Sequence, residues 1–484
     1  MSRLRQQLIA LTFGVVASFA APNAHAQDPS AQTMRLAPQQ MLKAAVLNLR
    51  NGENRRALAF ADALLLRDPK DVDASLVRSQ ALRAMGDYTS ALAAARSGWQ
   101  HAETDTQKFS AAMLMAQSLS SDGKRTRAQL WLRRAAHLAP TERHAKQATR
   151  DFKYVGQQNP WQTHLSFTLA PNSNINNGSA RDSSSLLYQV FNPDDVAGAG
   201  VFPLGVSSQA LSGIETGISV QSRYRFHQTE HTAHDLRMGL SYRTYQLSNA
   251  SKDDLEQENA ERLADNQEPL DISGSDFAYG TLQLGYGYKK LRRDRRGEFS
   301  ATADIGQSFY GGARYNRYLR ARIGQSYYKD ARTKYNIGLS TDLRTAGGES
   351  DQFRFSLNTS VSRQLKAGNG LYFGASVSSM QADAERAEYD EISLRSGYVL
   401  GRRVMGTQLQ FGLNTSYRDY DFSPHDASGR REFTVGADIT ATFKNVDYYG
   451  FNPTISLTAA TTSSNIGLYD VNRVGLGFGI ASSF

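Results

Sequence analysis

Over the last two thirds of this 484-residue chain, apolar side chains alternate with small or polar ones at a period of two. In Val474–Phe484, Val474, Leu476, Phe478 and Ile480 fall on one face, and Arg473, Gly475, Gly477, Gly479 and Ala481 on the other. Strict alternation predicts strands with one apolar face. The pattern recurs in Trp161–Leu169, Ile214–Phe226, Leu236–Thr244, Ala278–Tyr288, Phe299–Phe309, Tyr318–Tyr327, Tyr335–Leu343, Phe353–Val361, Leu371–Ser379, Ile392–Leu400, Thr407–Tyr417, Phe433–Phe443 and Phe451–Ala459. That makes about fourteen segments of about ten residues, an even number that suits a bacterial outer-membrane barrel. Hydrocarbon supplies no partners for backbone polar groups, so a wall between lipid and water has to close on itself.

The connections carry a second rhythm. If the first strand rises from the periplasm, odd connections should be long and even ones short. Asn172–Leu211 and Gln246–Phe277 are long and polar, and Gln381–Glu391 and Asp419–Glu432 are moderate. Between them lie the compact Gln228–Asp235, Lys289–Gly297, Lys329–Lys334, Lys366–Gly370, Gly401–Gly406 and Lys444–Gly450. Gly311–Arg314 is a short turn where an outer loop should fall. A soluble β-sandwich would alternate in the same way but would not show this rhythm. The apolar Val201-Phe202-Pro203-Leu204 predicts that the first loop folds back. A final aromatic, Phe484, is what barrel-insertion machinery is expected to recognise.

From about Ala37 to Ala148 the period becomes helical, in a composition rich in Ala, Leu, Arg and Gln. Gly52, Ala57 and Pro69 stand at offsets that return as Gly123, Ala128 and Pro140, and a middle copy has Gly86 and Ala91 with Glu103 at the proline position. Gly52 to Gly86 is 34 residues, the tetratricopeptide period. Three such hairpins meet the minimum for a stacked solenoid, an architecture that presents a concave face, here around Leu47–Trp131, to an extended partner.

The N-terminus reads as an export signal. Arg3 and Arg5 precede the apolar stretch Leu8–Ala20, and Ala24-His25-Ala26 forms a small-residue cleavage site. The predicted organisation is a secretory signal peptide over residues 1–26, a periplasmic tetratricopeptide-like helical domain over 27–155 and an outer-membrane barrel over 156–484. The apolar stretch is shorter than the roughly 20 residues of a spanning helix. With 23 Tyr, 22 Phe and 39 Gly against 3 Trp, the composition favours strands with aromatic girdles. The absence of cysteine excludes disulfides and Cys-based zinc. A net charge of +9 is modest for this length, and no nucleic-acid module accompanies it.

The inward face predicts one feature that alternation alone does not. Arg223, Arg225, Arg237, Arg243, Arg320, Arg322, Arg344, Arg354, Arg395, Arg418 and Arg473 fall on the water face, against Glu215, Asp304, Asp342 and Asp438, with lysine nearly absent. Guanidinium groups make bidentate bonds to carboxylates and phosphates. Two readings stay open: arginines that fill the lumen and pair with its acids, or a surplus of charge that favours an anionic passenger. His227, His231 and His234, with Glu230 and Asp235, fit solvated turn residues better than a metal site. The basic run Lys289–Arg296 suits a turn beside lipid headgroups or one that is merely solvated. No nucleophile elbow or motif-placed carboxylate pair appears, so neither an enzyme activity nor a cofactor is expected.

At the start of the barrel the chain reads Asn159-Pro160-Trp161-Gln162 and then Leu169-Ala170-Pro171-Asn172-Ser173-Asn174-Ile175-Asn176-Asn177. This resembles the start of the barrel domain in the surface lipoprotein assembly modulators, the Slam family, with Trp161, Pro171, Asn174 and Asn176 as its marks. The resemblance implies an exported tetratricopeptide region followed by a fourteen-stranded barrel. It also implies a translocator that moves client proteins, lipid-anchored or soluble, from periplasm to cell surface. The implied partners are the exported client, a periplasmic chaperone, outer-membrane lipids and the insertion machinery. The alternative is an exporter of an anionic polysaccharide; a passive porin for small anions would leave the helical repeats without a task.

Overall fold

A computed structural model describes residues 36–185, 201–345, 350–426, 428–446 and 451–482. The export signal and Phe484 lie outside these residues. Seven helices come first: α1 (Pro38–Arg50), α2 (Asn54–Arg67), α3 (Val72–Ala84), α4 (Tyr88–His101), α5 (Asp105–Ser121), α6 (Arg125–His137) and α7 (Glu142–Gln158). They form three hairpins and a closing helix. Gly52, Gly86 and Gly123 stand between the helices of each hairpin with φ of 78°, 88° and 74°, the left-handed conformation that ends a helix at little cost for glycine. Five residues on, Ala57, Ala91 and Ala128 are fully buried, which lets paired helices approach. Pro69 falls in the link between the first two hairpins and Pro140 in the link between the third hairpin and the closing helix. Where Glu103 replaces proline, a capping box starts α5 instead: Thr104 accepts from the Gln107 N–H, and the Gln107 side chain accepts from the Thr104 and Glu103 amides. Helix α7 closes the stack with Ala148, Phe152 and Val155 against a core that includes Phe109, Met113 and Leu132.

Fourteen strands then close into an antiparallel barrel: β1 (Trp161–Asn172), β4 (Gly213–Gln228), β5 (Thr232–Leu247), β6 (Tyr279–Leu291), β7 (Glu298–Tyr310), β8 (Ala313–Tyr328), β9 (Thr333–Thr345), β10 (Gln352–Gln364), β11 (Gly370–Ala382), β12 (Tyr389–Val399), β13 (Thr407–Tyr420), β14 (Arg430–Phe443), β15 (Phe451–Ser464) and β16 (Val471–Ser482). The short pair β2 (Ser183–Ser185) and β3 (Val201–Pro203) stands apart in the first loop. Each strand pairs with its neighbours in the wall, and β1 returns to β16. The β1–β4 ladder runs from Trp161↔Tyr224 to Asn172↔Gly213, whereas the closing β1–β16 ladder runs from Thr168↔Gly479 to Asn172↔Gly475.

The wall has the polarity of an outer-membrane-type barrel. Leu165, Leu282, Ile305, Ile337 and Leu413 point outward and are exposed, Ile305 by 61%. No helix among the described residues is long and apolar enough to cross a membrane, so crossing rests on the strands. Near the end that carries the helices, Trp161 stacks on Tyr224 at 4.7 Å, and His234 lies 6.1 Å from both Phe226 and Tyr286. These rings form an aromatic patch of the kind that seats a barrel at a membrane interface.

Two sequence expectations change here. The strands run beyond the apolar band, so the connection expected over Gln228–Asp235 shrinks to Thr229–His231 and Asp235 becomes a wall residue. The long polar loop Gln246–Phe277 carries a helix, α8 (Asn249–Ala264), that the alternation gave no reason to expect.

Candidate functional site

The inward residues are organised by rows that run along the hydrogen-bond direction from strand to strand. One row reads Arg223, Arg237, Gly285, Asp304, Arg320, Asp342 and Arg354 on β4 to β10. The neighbouring inward row passes through Arg225, Asp235, Thr302, Arg322, Ser340, Ser378, Glu391, Arg418 and Glu432 on β4 to β14. Barrel strands tilt, so a row perpendicular to them climbs the wall. The second row starts three residues from the helical-domain end of β4 and finishes two residues from the far end of β14. The arginines therefore form a rising band on one course.

Within the band, carboxylates are shared. Asp235 faces Arg225 at 2.8 Å and Arg223 at 3.4 Å. Asp304 faces Arg237 at 3.6 Å and Arg322 at 3.8 Å, and Asp342 faces Arg320 at 2.6 Å and Arg344 at 3.3 Å. Glu391 takes Arg354 at 3.2 Å and Arg418, and Glu432 takes Arg430 at 3.1 Å and Arg418 at 3.8 Å. Gly285 makes room for this packing, because a Cβ there would run into the carboxylate of Asp304. Arg395 pairs with Asp438 at 3.5 Å. Arg243 instead lies over the ring of Tyr279, 5.5 Å from its centroid.

The inward acids thus include Asp235, Glu391 and Glu432 besides those legible in the alternation, and Lys289 and Lys334 join the arginines near the helical-domain end. Nine arginines still share five carboxylates in the band, so pairing absorbs only part of the charge.

At the far end the asparagine motif forms a clasp. Asn174 is fully buried; its side chain donates to the Gly178 carbonyl at 2.8 Å and the Asn472 carbonyl at 3.3 Å, and accepts from the Gly178 N–H. Asn176 donates to the Gln209 carbonyl at 2.7 Å and accepts from the Leu211 N–H at 2.9 Å. Arg473 donates to the Asn174 carbonyl and the Asn177 side chain. Arg181 reaches Asp470 at 2.7 Å. Asn174 and Asn176 thereby fix both ends of the first loop and tie it to the β15–β16 hairpin. Pro171 lies beside them in β1, paired with Ile214, and Trp161 sits at the opposite end of the same strand. Ile175 and Leu211 pack with Leu255 of α8 against Tyr245, an inward residue of β5, so the first loop folds back over the far mouth. Leu204 is buried.

The near end is held by a different contact. Asn159, in the two-residue link between α7 and β1, is buried; its side chain donates to Gln129 at 2.6 Å and Thr126 at 3.1 Å and accepts from the Trp161 N–H at 3.1 Å. Arg133 of α6 lies 4.7 Å from the ring centroid of Phe451 at the start of β15. The solenoid is thus seated against one rim. Among the described residues no three His, Cys, Asp or Glu side chains gather as a metal site; His234 sits instead 2.6 Å from the Tyr286 hydroxyl.

No family model matches the chain, and no curated protein matches it. Among solved structures, the helical part is similar to the type III secretion translocator chaperone SycD of Yersinia enterocolitica, at 20% identity over 26% of this chain and 88% of that one, with a TM-score of 0.23. The barrel is similar to a BenF-like porin from Pseudomonas fluorescens at 9% identity over 66% and 98% of the two chains, with a TM-score of 0.34. A bacterial polysaccharide outer membrane secretin follows at 8% identity over 66% and 98%, with a TM-score of 0.32.

Proposed function

We propose that this protein is a translocator of the bacterial outer membrane that delivers specific client proteins, surface lipoproteins or soluble secreted proteins, from the periplasm to the cell surface. The observation that supports this reading is the seating of the solenoid on the rim. A module of the kind that binds extended segments ends at Gln158, the wall begins at Trp161, and Asn159 joins the two with side-chain bonds in both directions. A client held by the helices lies beside the mouth of the barrel, which a freely tethered recruiter would not achieve. In this reading the helical unit lies in the periplasm, a chaperone hands the client to it, and the asparagine clasp governs the outer mouth. No enzymatic step is required of the protein.

A second reading, export of an anionic polysaccharide, draws on the nine band arginines that share five carboxylates. One experiment separates the two. Intact cells with and without the gene are shaved briefly with protease and the released peptides compared. Loss of one or two proteins from the surface, with their retention in the periplasm, supports the translocator. An unchanged protein surface together with loss of a surface glycan overturns it in favour of the polysaccharide.

A further inference from the structure

The band leaves one part of its charge unclaimed. On β5, β8, β9 and β12 the side chains of Arg237, Arg322, Lys334 and Arg395 line a single luminal cavity of about 560 Å³. Asp304 is the acid shared by the first two, and it is almost fully buried. At 3.6 and 3.8 Å its contacts to Arg237 and Arg322 exceed a hydrogen-bond length, and one of its oxygens accepts no hydrogen bond. Arg395 reaches Asp438 only at 3.5 Å, and Lys334 lies over the Tyr328 ring, 5.2 Å from its centroid. A guanidinium offers five donors and an ammonium three, so these four groups carry more donors than the carboxylates of Asp304 and Asp438 can take up. The cavity lining also supplies neutral partners, among them Asn336, Asn358 and Ser376, and one acid, Glu298, which Lys289 holds at 3.0 Å.

We infer that this cavity is a binding site for the carboxylates of an acidic, extended segment of the client polypeptide. The inference rests on the translocator reading and names the chemistry of its cargo. Spacing selects the ligand class. Arg322 and Arg395 stand four strand steps apart across the wall and two inward rows apart along it, about 23 Å in all at about 4.8 Å per strand and about 3.3 Å per residue. One small oxyanion does not span that interval. An extended chain of about seven residues does, at about 3.3 Å per residue, and its side chains on one face recur every second residue. Carboxylates at the two ends of such a run meet Arg322 and Arg395, while Asn and Ser side chains between them take up backbone carbonyl and amide groups.

The test uses the purified full-length protein in lipid nanodiscs, with an oligoglutamate, an oligolysine and inorganic phosphate as probes, titrated by calorimetry at low salt. Oligoglutamate is expected to bind and oligolysine not to. Arg395→Gln and Lys334→Gln, which leave Asp304 paired, should each weaken oligoglutamate about tenfold, as should Arg322→Gln. Raised salt should weaken the wild type and erase the difference between variants. Unchanged affinity in all three variants overturns the site, and so does binding of phosphate without oligoglutamate. The binding result stands apart from surface display in cells. Lost client display with intact oligoglutamate binding leaves the site in place, and normal display in a protein that binds no oligoglutamate leaves the translocator reading in place.

Discussion

The two mouths of this barrel are held by unlike contacts. At the far mouth a backbone-rich knot, Asn174 and Asn176 with Arg473, binds loop to hairpin across roughly 300 residues of sequence, and an apolar cluster on Tyr245 backs it. At the near mouth a folded solenoid meets the rim through contacts that include a buried asparagine and an arginine–aromatic pair. The first arrangement rigidifies a rim; the second positions a separate module. The contrast is between a mouth covered by the barrel's own loop and a mouth that carries a separate helical module.

That difference can be broken most severely at the clasp. Asn174→Ala removes a buried amide that serves several backbone groups, and we expect it to cost about 3 kcal/mol locally. Hydrogen exchange over residues 172–180 and 465–475 should rise together; a rise in the first stretch alone would show that the hairpin does not depend on the clasp. The counterpart at the near mouth is Asn159→Ala, with an expected cost of about 1–2 kcal/mol. Protease cleavage within residues 156–163 should become faster while the barrel keeps its resistance to detergent denaturation; unchanged cleavage would place the seating elsewhere.

A finer comparison uses pH. His425, in the loop between β13 and β14, has its proton affinity pushed down by burial and by the charge of Arg430. The folded loop thus binds a proton less readily than the unfolded one. Its stability is full above the ordinary histidine range and falls as pH drops through about 6.5. Exchange over residues 421–426 should speed up on acidification after correction for intrinsic rates, and His425→Gln should remove the dependence. The smallest effect belongs to the near-side turn. Asp294 is held at about pKa 2 by the Arg292 side chain and the Arg296 amide, yet the pair lies exposed on the turn. Asp294→Asn should therefore leave the unfolding midpoint unchanged, since screening cancels such pairs.

The wall and the solenoid were legible in the sequence because each has a strong period. Fourteen alternating stretches match fourteen strands, and three glycines five residues ahead of buried alanines match three hairpins. What escaped lies where the period stops carrying information. Asp235, Glu391 and Glu432 face inward on parts of strands beyond the apolar band, where alternation of lipid-facing residues fades and a carboxylate looks like part of a turn. Helix α8 escaped because its buried side, Ser251 and Leu255, is small and serves a loop, not a core. The organisation of arginines into rows was beyond reach altogether. It depends on register between strands, and a slip of one residue would move each side chain to the other face.

The rows carry a consequence for movement. A course that begins on β4 near one rim and ends on β14 near the other passes ten of the fourteen strand-to-strand steps on the way. Under the translocator reading, a client that moves from charge to charge along it turns as it advances, so the wall would work as rifling works in a bore, and a client too stiff or too wide to rotate would be stopped by shape alone.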